Sequence, residues 1–173
     1  MTLQTEFTVC VFAYGSNMCT QRIRSRVPSA TPVANGYLGK HAFVFHKRSI
    51  DGSAKADAAF TGCPTDRVWG VVYRLHQKDK PILDGYEFLG LGYDEQQVDV
   101  VVESRTIRAW IYVARQEVTD PSWLPYSWYH DFVIRGAQQH RLPQKYINYL
   151  RNCKSVIDPD PARHERNRRL IDW

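Results

Sequence analysis

One segment of the sequence joins an apolar strand to a short polar turn. Residues 9–13 are typical of a buried strand, and Tyr14-Gly15-Ser16-Asn17, here called the opening turn, follows directly. Glycine permits a tight turn, and serine and asparagine cap helices, so a helix is predicted to begin near Met18 and to carry Ile23 inward. The first N–H groups of a helix point outward beside the positive end of its dipole. The opening turn is therefore predicted to bind a carboxylate, a phosphate or an oxyanion.

Glu87 lies at the end of a predicted helix, where its neighbours could suit proton transfer. It follows a predicted helix over residues 79–86, whose apolar side is formed by Ile82, Leu83 and Tyr86, and glycines surround it in the sequence. A carboxylate among apolar and aromatic groups can act as a general acid or base. From the residues alone, an ordinary surface carboxylate is the favoured interpretation of Glu87.

Other reactive side chains lack partners at a useful spacing. Cys19, near a helix start, could be a nucleophile, but no histidine is spaced to serve as its base, so an inert thiol is expected. Asp57 could face a cavity together with Lys55, although an ion pair at a loop end is the expected use. The four cysteines lie far apart without a C-x-x-C pair, so neither a disulfide framework nor a metal site is indicated.

The elements that would carry these residues form a mixed order. Strands are predicted over residues 33–38, 41–46, 56–60, 67–75, 97–103 and 106–114, with turn chemistry at 49–53. Residues 126–137 and 146–153 show helical spacing of apolar residues, and a short charged helix is predicted over 160–170. This order indicates an α+β fold built on one largely antiparallel sheet or barrel, with residues 1–173 as a single domain.

The composition and charge of the chain argue against several classes of protein. The apolar fraction is 43%, the charged fraction is 24%, and no stretch is long and apolar enough for a membrane span. The start of the chain lacks the features of a signal peptide, so a cytoplasmic location is expected. The formal charge of +5 favours anionic ligands, but the basic residues are scattered, which argues against a nucleic-acid-binding protein.

Six blocks of the sequence, in order between residue 9 and about residue 153, resemble those of the gamma-glutamylcyclotransferase family. The blocks are Phe12-Ala13-Tyr14-Gly15-Ser16-Asn17-Met18, Val68-Trp69-Gly70-Val71-Val72-Tyr73, Leu83-Asp84-Gly85-Tyr86-Glu87, Gly92-Tyr93, Tyr129 with Gly136-Ala137, and Leu142-Pro143 with Tyr146. The resemblance implies a mixed, largely antiparallel sheet curled into a barrel-like body with surrounding helices. It also implies an enzyme that cyclises a γ-glutamyl group to 5-oxoproline and releases a free amine.

The resemblance also assigns roles to residues. Glu87 falls on the family's general acid/base, and Tyr14, Gly15, Ser16, Asn17 and Met18 fall on the loop that holds the glutamyl group. Tyr93 and Tyr129 fall on aromatic positions that line the same cavity. Trp110 stands where relatives often have a tyrosine, which predicts that one cavity hydroxyl is missing and affects the leaving-group side.

The cyclisation requires that the substrate be held in a folded conformation and that one group transfer protons. The amine and the γ-carbonyl belong to one molecule, and holding them together contributes about 7–11 kcal/mol in well-oriented cases. One carboxylate can take the proton of the ammonium and return it to the leaving amine. N–H groups of the opening turn can stabilise the carbonyl oxygen, so no cofactor or metal is expected.

Several alternatives remain open at the level of sequence. The fold could serve a non-catalytic domain that binds a carboxylate or metabolite, or, less favoured, a basic nucleic-acid-binding protein. A small γ-glutamyl molecule is the expected partner, and a homodimer is left open. No stretch is specific for glutathione over other γ-glutamyl compounds.

Overall fold

The computed structural model describes residues 7–171, and their elements begin with strands and end with helices. The strands are β1 (Thr8–Ala13), β2 (Thr31–Gly39), β3 (His41–Arg48), β4 (Ala54–Phe60), β5 (Arg67–His76), β6 (Tyr93–Val102) and β7 (Arg105–Ala114). The α-helices are α1 (Thr20–Arg26), α2 (Lys80–Tyr86), α3 (Ser127–Gln139), α4 (Gln144–Asn152) and α5 (Pro161–Arg169). Short 3-10 helices lie at Ser16–Met18, Gln77–Asp79 and Gln116–Val118.

Five strands close into a barrel in the order β1-β5-β2-β6-β7. The four consecutive pairs of this order are antiparallel, and β1 meets β7 in parallel at Val11 and Trp110, which closes the barrel. The predicted α+β fold with a mixed, largely antiparallel, barrel-like sheet is confirmed.

The hairpin formed by β3 and β4 is a separate two-stranded sheet, so the expectation of one sheet is wrong in this detail. Lys40 takes a positive φ of 61°, and the chain leaves the barrel there. The hairpin then packs against β5 and β7. Its turn lies in the predicted place, with the Ser49 N–H donating to the Ser53 carbonyl at 3.0 Å.

Strand β5 is the centre of the barrel. It lies between β1 and β2, and residues 70–73 are buried in succession, so both of its faces are covered. The prediction of burial on both faces is confirmed. Strand β6 begins at Tyr93, four residues before the predicted start, which brings Tyr93 into the sheet.

The helices pack around the barrel largely as their apolar spacing predicts. In α3 the buried residues include Tyr129, Phe132 and Gly136, and in α4 they are Tyr146, Ile147 and Leu150. In α2 only Leu83 of the predicted apolar side is buried, whereas Ile82 and Tyr86 are about half exposed. The prediction that Ile82 and Tyr86 face the core is therefore wrong, because α2 lies at the rim of the barrel.

A helix near Met18 was predicted, and the structure divides it in two. The 3-10 helix Ser16–Met18 comes first, and α1 begins at Thr20. A Cβ on Gly136 of α3 would lie 2.5 Å from the backbone N of Cys19, so α3 touches the main chain at this junction. The absence of a side chain at position 136 thus allows α3 to support the opening turn.

Asp158 ties the start of α5 to the tryptophan of α3. Its carboxylate accepts hydrogen bonds from Trp128 Nε1 at 2.8 Å and from Arg163 at 2.7 Å. The hydrogen bond from Arg163 lowers the pKa of Asp158 below its usual range. As predicted, Asp160 caps α5 by accepting from the Arg163 N–H.

None of the helices described between residues 7 and 171 is both long enough and apolar enough to cross a membrane.

Candidate active site

A cavity of about 260 Å³ opens where the barrel end meets the helices. The opening turn forms one side, the β3–β4 hairpin faces it, and the ends of α2 and β7 and the start of α3 complete the lining. The volume lies just below the range of about 300–1,000 Å³ that is usual for ligand pockets, so the cavity suits a small molecule.

Glu87 reaches this cavity because α2 ends at the residue before it. The Glu87 N–H still donates to the Leu83 carbonyl at 3.0 Å, and Phe88 then adopts a left-handed φ of 52°. That conformation stops the helix and turns the chain away. The Glu87 side chain is 16% exposed and lines the cavity.

The opening turn contacts Glu87 directly. Asn17 Nδ2 donates to Glu87 Oε1 at 2.7 Å, and the Asn17 Oδ1 accepts from Arg26 Nη1 at 3.1 Å. Arg26 Nη1 also lies 3.6 Å from the same Oε1. Since these contacts share one oxygen, Oε2 is left without a hydrogen-bond donor among residues 7–171 and can accept from a ligand.

The backbone of the opening turn is arranged as a helix start. Gly15 precedes the 3-10 helix, and Ser16 and Asn17 are its first residues, whose N–H groups have no partner within the helix. A Cβ on Gly15 would lie 3.1 Å from Ala56 Cβ and 3.3 Å from the Tyr129 hydroxyl, so the turn lies close against β4 and α3. Gly15 and Ser16 both line the cavity.

Five tyrosines line the cavity, and the hydroxyls of Tyr14, Tyr93, Tyr112 and Tyr129 differ in use. Tyr14 donates to the Tyr112 carbonyl, Tyr93 to the Ala56 carbonyl at 2.7 Å, and Tyr112 to Asp84 at 2.6 Å. Tyr129 instead accepts from the Ala56 N–H at 3.2 Å, so its own proton remains available to Ser16 or to a ligand. Tyr129 therefore offers a donor, whereas Tyr93 offers its ring.

The charge of Glu87 acts on these tyrosines. Burial raises the pKa of Tyr14, Tyr93 and Tyr129, and the Glu87 carboxylate raises all three further. The hydroxyls are therefore protonated at neutral pH, and the tyrosines act as neutral donors around one carboxylate.

Basic side chains supply most of the cavity's charge, and Lys55 is the one of them that the sequence suggested for a cavity. Arg22, Arg26, Lys47 and Lys55 line it beside only two acids, Asp51 and Glu87. Arg22 Nε donates to Ser16 Oγ at 3.0 Å, and its guanidinium lies 4.4 Å from the Phe132 ring centre. Burial, together with the positive charge of Arg26, lowers the pKa of Arg22 to about 10. The four-residue spacing of Arg22 and Arg26, which puts both on one face of α1, is the signal that could have found them.

Lys55 is buried in a shell of aromatic rings. Its Nζ donates to Asp51 at 2.6 Å and to Ser53 Oγ at 2.8 Å, and it lies 4.6 Å from the Tyr129 ring centre. Burial lowers the pKa of Lys55 to about 8, although Asp51 opposes this change. The expected pairing of Lys55 with Asp57 is wrong, because the turn of the hairpin brings Asp51 to the lysine instead.

The folding of the protein is expected to depend on pH through Lys55. Between pH 8 and about 10.5, Lys55 of the unfolded chain holds a proton that the folded chain has lost, so raising the pH through this window stabilises the fold. Melting temperatures of the wild type and of Lys55→Met at pH 7.5 and pH 9.5 test this. The wild type should gain stability relative to the variant at the higher pH, and parallel responses would contradict the assignment.

Seven of the nine predicted site residues line the cavity: Tyr14, Gly15, Ser16, Asn17, Glu87, Tyr93 and Tyr129. Met18 and Trp110 do not. Met18 is fully buried beneath the opening turn against α3. Trp110 lies two residues before Tyr112 on the same face of β7 and near Lys80, whose Nζ is 5.4 Å from its ring centre.

The predicted loss of a tyrosine hydroxyl at Trp110 stays a prediction, although another tyrosine of the same strand reaches the cavity. Tyr112, one alternation further along β7, lines the cavity and donates to Asp84 at 2.6 Å. The sequence pattern could have found it, because residues two apart on a strand share a face.

Asp57 and Cys19 lie outside the cavity lining. Asp57 is buried in β4, where it binds His46 Nε2 at 2.8 Å and accepts from the Ala114 N–H at 2.8 Å. It therefore joins the hairpin to the end of β7. Cys19 is 1% exposed, with its thiol 3.4 Å from Gln21 Oε1. Among residues 7–171 no group of three or more His, Cys, Asp or Glu is arranged to hold a metal ion.

Comparisons with known proteins agree with this geometry. The model of the AIG2-like family matches residues 67–150. A gamma-glutamylcyclotransferase of Mus musculus is 30% identical over 164 residues, which cover 88% of this chain and 80% of the relative. The chain belongs to the gamma-glutamylcyclotransferase family. It is an enzyme of that family, as predicted, and the non-catalytic alternative is set aside.

Further members of the gamma-glutamylcyclotransferase family support the assignment in sequence and in fold. The Homo sapiens gamma-glutamylcyclotransferase is 29% identical, with 86% of this chain and 78% of the relative covered. A solved structure described as a gamma-glutamyl cyclotransferase superposes with a TM-score of 0.85 at 26% identity, covering 96% of this chain and 99% of the other. The barrel and its helices are therefore the fold of this family.

Proposed function

We propose that this enzyme converts a γ-glutamyl amine or γ-glutamyl amino acid to 5-oxoproline and a free amine, with Glu87 as the general acid/base. The observation that carries the proposal is the state of the Glu87 carboxylate. Asn17 holds Oε1 at 2.7 Å, while Oε2 has no donor among residues 7–171, and Glu87 lines the same cavity as the opening turn. A carboxylate fixed at one oxygen and open at the other is suited to exchanging a proton with a bound substrate.

In the proposed reaction the substrate folds so that its amine faces its own γ-carbonyl. Glu87 Oε2 takes a proton from the α-ammonium, and the amine nitrogen then forms a bond to the γ-carbon. Glu87 returns this proton to the departing nitrogen as the original amide bond breaks, and it then takes the second proton of the ring nitrogen and passes it to the released amine, which leaves as an ammonium ion. The carboxylate is regenerated, and 5-oxoproline and the amine leave.

Binding groups are available for the glutamyl part of the substrate. The N–H groups at the start of the 3-10 helix suit an anionic oxygen, and Tyr129 adds a hydroxyl donor. The positive charge of Arg22 and Lys55 in the cavity wall favours the carboxylate of a γ-glutamyl compound.

A panel of γ-glutamyl compounds tests the proposal. The wild type is incubated with γ-glutamyl-alanine, γ-glutamyl-ethylamine and glutathione, and 5-oxoproline and the released amine are quantified together. We expect equal amounts of the two products from at least one member. Hydrolysis to free glutamate, or no release of 5-oxoproline from any member, would contradict the proposal.

A further inference from the structure

Among residues 7–171, Lys47 and Arg22 are the two basic residues of the cavity lining without a nearby carboxylate, and Arg22 instead donates to Ser16 Oγ at 3.0 Å. Lys47 is 7% exposed, it lines the cavity, and no carboxylate among residues 7–171 lies within 4 Å of its Nζ. By contrast, Lys55 is paired with Asp51, and Arg26 lies within 4 Å of Glu87. An ammonium that lines a cavity without a counter-ion is available to an anionic group of a bound ligand.

The surroundings of Lys47 are shaped to hold its amine at the cavity. A Cβ on Gly92 would lie 2.9 Å from both Cε and Nζ of Lys47, so the lysine tip occupies the space above the glycine. The Tyr93 ring centre lies 5.0 Å from Nζ on another side. Gly92 and Tyr93 follow Glu87 closely in the chain, and the lysine therefore lies against the segment that carries the proposed acid/base.

Charge links Lys47 to Glu87. Burial lowers the pKa of the Lys47 ammonium, and the Glu87 carboxylate is the strongest influence that raises it again, ahead of Asp51. Lys47 and Glu87 also line the same cavity.

We infer that Lys47 is a further catalytic residue, which stabilises the negative charge that develops on the γ-carbonyl oxygen during cyclisation. The inference rests on the proposed function. When Glu87 takes the proton of the substrate ammonium, the carboxylate becomes neutral, and attack of the amine places a negative charge on the carbonyl oxygen. Lys47 then interacts with this oxygen, so its interaction becomes stronger in the transition state than in the bound substrate. The N–H groups of the opening turn are left to hold the glutamyl carboxylate.

The test compares Lys47→Met and Lys47→Gln with the wild type on γ-glutamyl-alanine and γ-glutamyl-ethylamine, which differ only in the carboxylate of the leaving group. We expect kcat to fall by about 10²–10³-fold on both substrates, with KM changed by less than about threefold. Arg48→Met is the matched control, because Arg48 is the next residue on β3 and its exposed side chain lies outside the cavity lining. Its kcat should equal that of the wild type.

Each other outcome overturns the inference. A loss confined to γ-glutamyl-alanine would make Lys47 a binding residue for the leaving-group carboxylate. A rise in KM on both substrates with kcat unchanged would make it a binding residue for the glutamyl carboxylate. Variants within threefold of the wild type in kcat would give Lys47 no catalytic part, while Glu87→Gln in the same assay shows separately whether the proposed function holds.

Melting temperatures of the Lys47 variants test whether the lysine has a purely structural role. Because Lys47 is buried without a counter-ion, Lys47→Met is expected to melt at or above the wild-type temperature. A variant that melts well below the wild type would show that the fold needs the lysine, and the catalytic inference would fall.

Discussion

Glu87→Gln is expected to lower kcat for release of 5-oxoproline by about 10²–10⁴-fold. Glutamine has nearly the same shape, and its carbonyl oxygen can still accept from Asn17 Nδ2. It cannot take a proton from the substrate ammonium or return one to the leaving amine. Steady-state kinetics on γ-glutamyl-alanine measure the loss, and calorimetry with 5-oxoproline should show that the variant still binds the product.

Glu117→Gln is the control for Glu87→Gln. Glu117 is an exposed carboxylate paired with Arg115, and its replacement removes the same charge outside the cavity lining. Its kinetics should match those of the wild type. If Glu87→Gln retains activity within about tenfold of the wild type, another group carries the proton.

Gly136→Ala is expected to impair both the fold and the reaction. The new Cβ would lie 2.5 Å from the Cys19 backbone N and from Met18 Cβ, so α3 or the opening turn must move. Overpacking of this kind costs about 1–3 kcal/mol, which corresponds to a fall of about 2–12 °C in melting temperature. A displaced turn should also lower kcat/KM by about 10²-fold, because catalysis depends on positions within about 1 Å.

Gly85→Ala provides the matched control for this substitution. Gly85 is also helical, in α2, but a Cβ there meets nothing within 4 Å. The substitution should leave activity unchanged and raise stability by about 0.4–1 kcal/mol. Calorimetry measures the stability of the two variants, and steady-state kinetics measure their activity. A Gly136→Ala protein as stable and active as the wild type would show that α3 does not fix the opening turn.

Much of the fold could be predicted because several elements carry their signal locally. The apolar run of β5 and the helical spacing in α3 and α4 reflect burial that each element has by itself. The separate β3–β4 hairpin could not be predicted, since strand partners depend on where the chain turns. At Lys40 that turn uses a left-handed conformation that the residue type does not announce.

The site was only partly predictable for a related reason. Glu87 and the opening turn lie in recognisable blocks, and both line the cavity. Lys47 and Lys55 are 40 and 32 residues before Glu87 in the numbering, and only the folding of the hairpin over the barrel brings them to it. Trp110 was misplaced because two positions on one strand face were equally compatible with the pattern, and the cavity uses Tyr112.

A crystal structure of Glu87→Gln with γ-glutamyl-alanine tests most directly whether the substrate binds with its amine beside Glu87. The substrate should lie in the cavity with its α-nitrogen within hydrogen-bond reach of the side chain at position 87. Its α-nitrogen should also be about 3–3.5 Å from the γ-carbon. A substrate bound outside the cavity, or with its amine directed away from position 87, would contradict this arrangement.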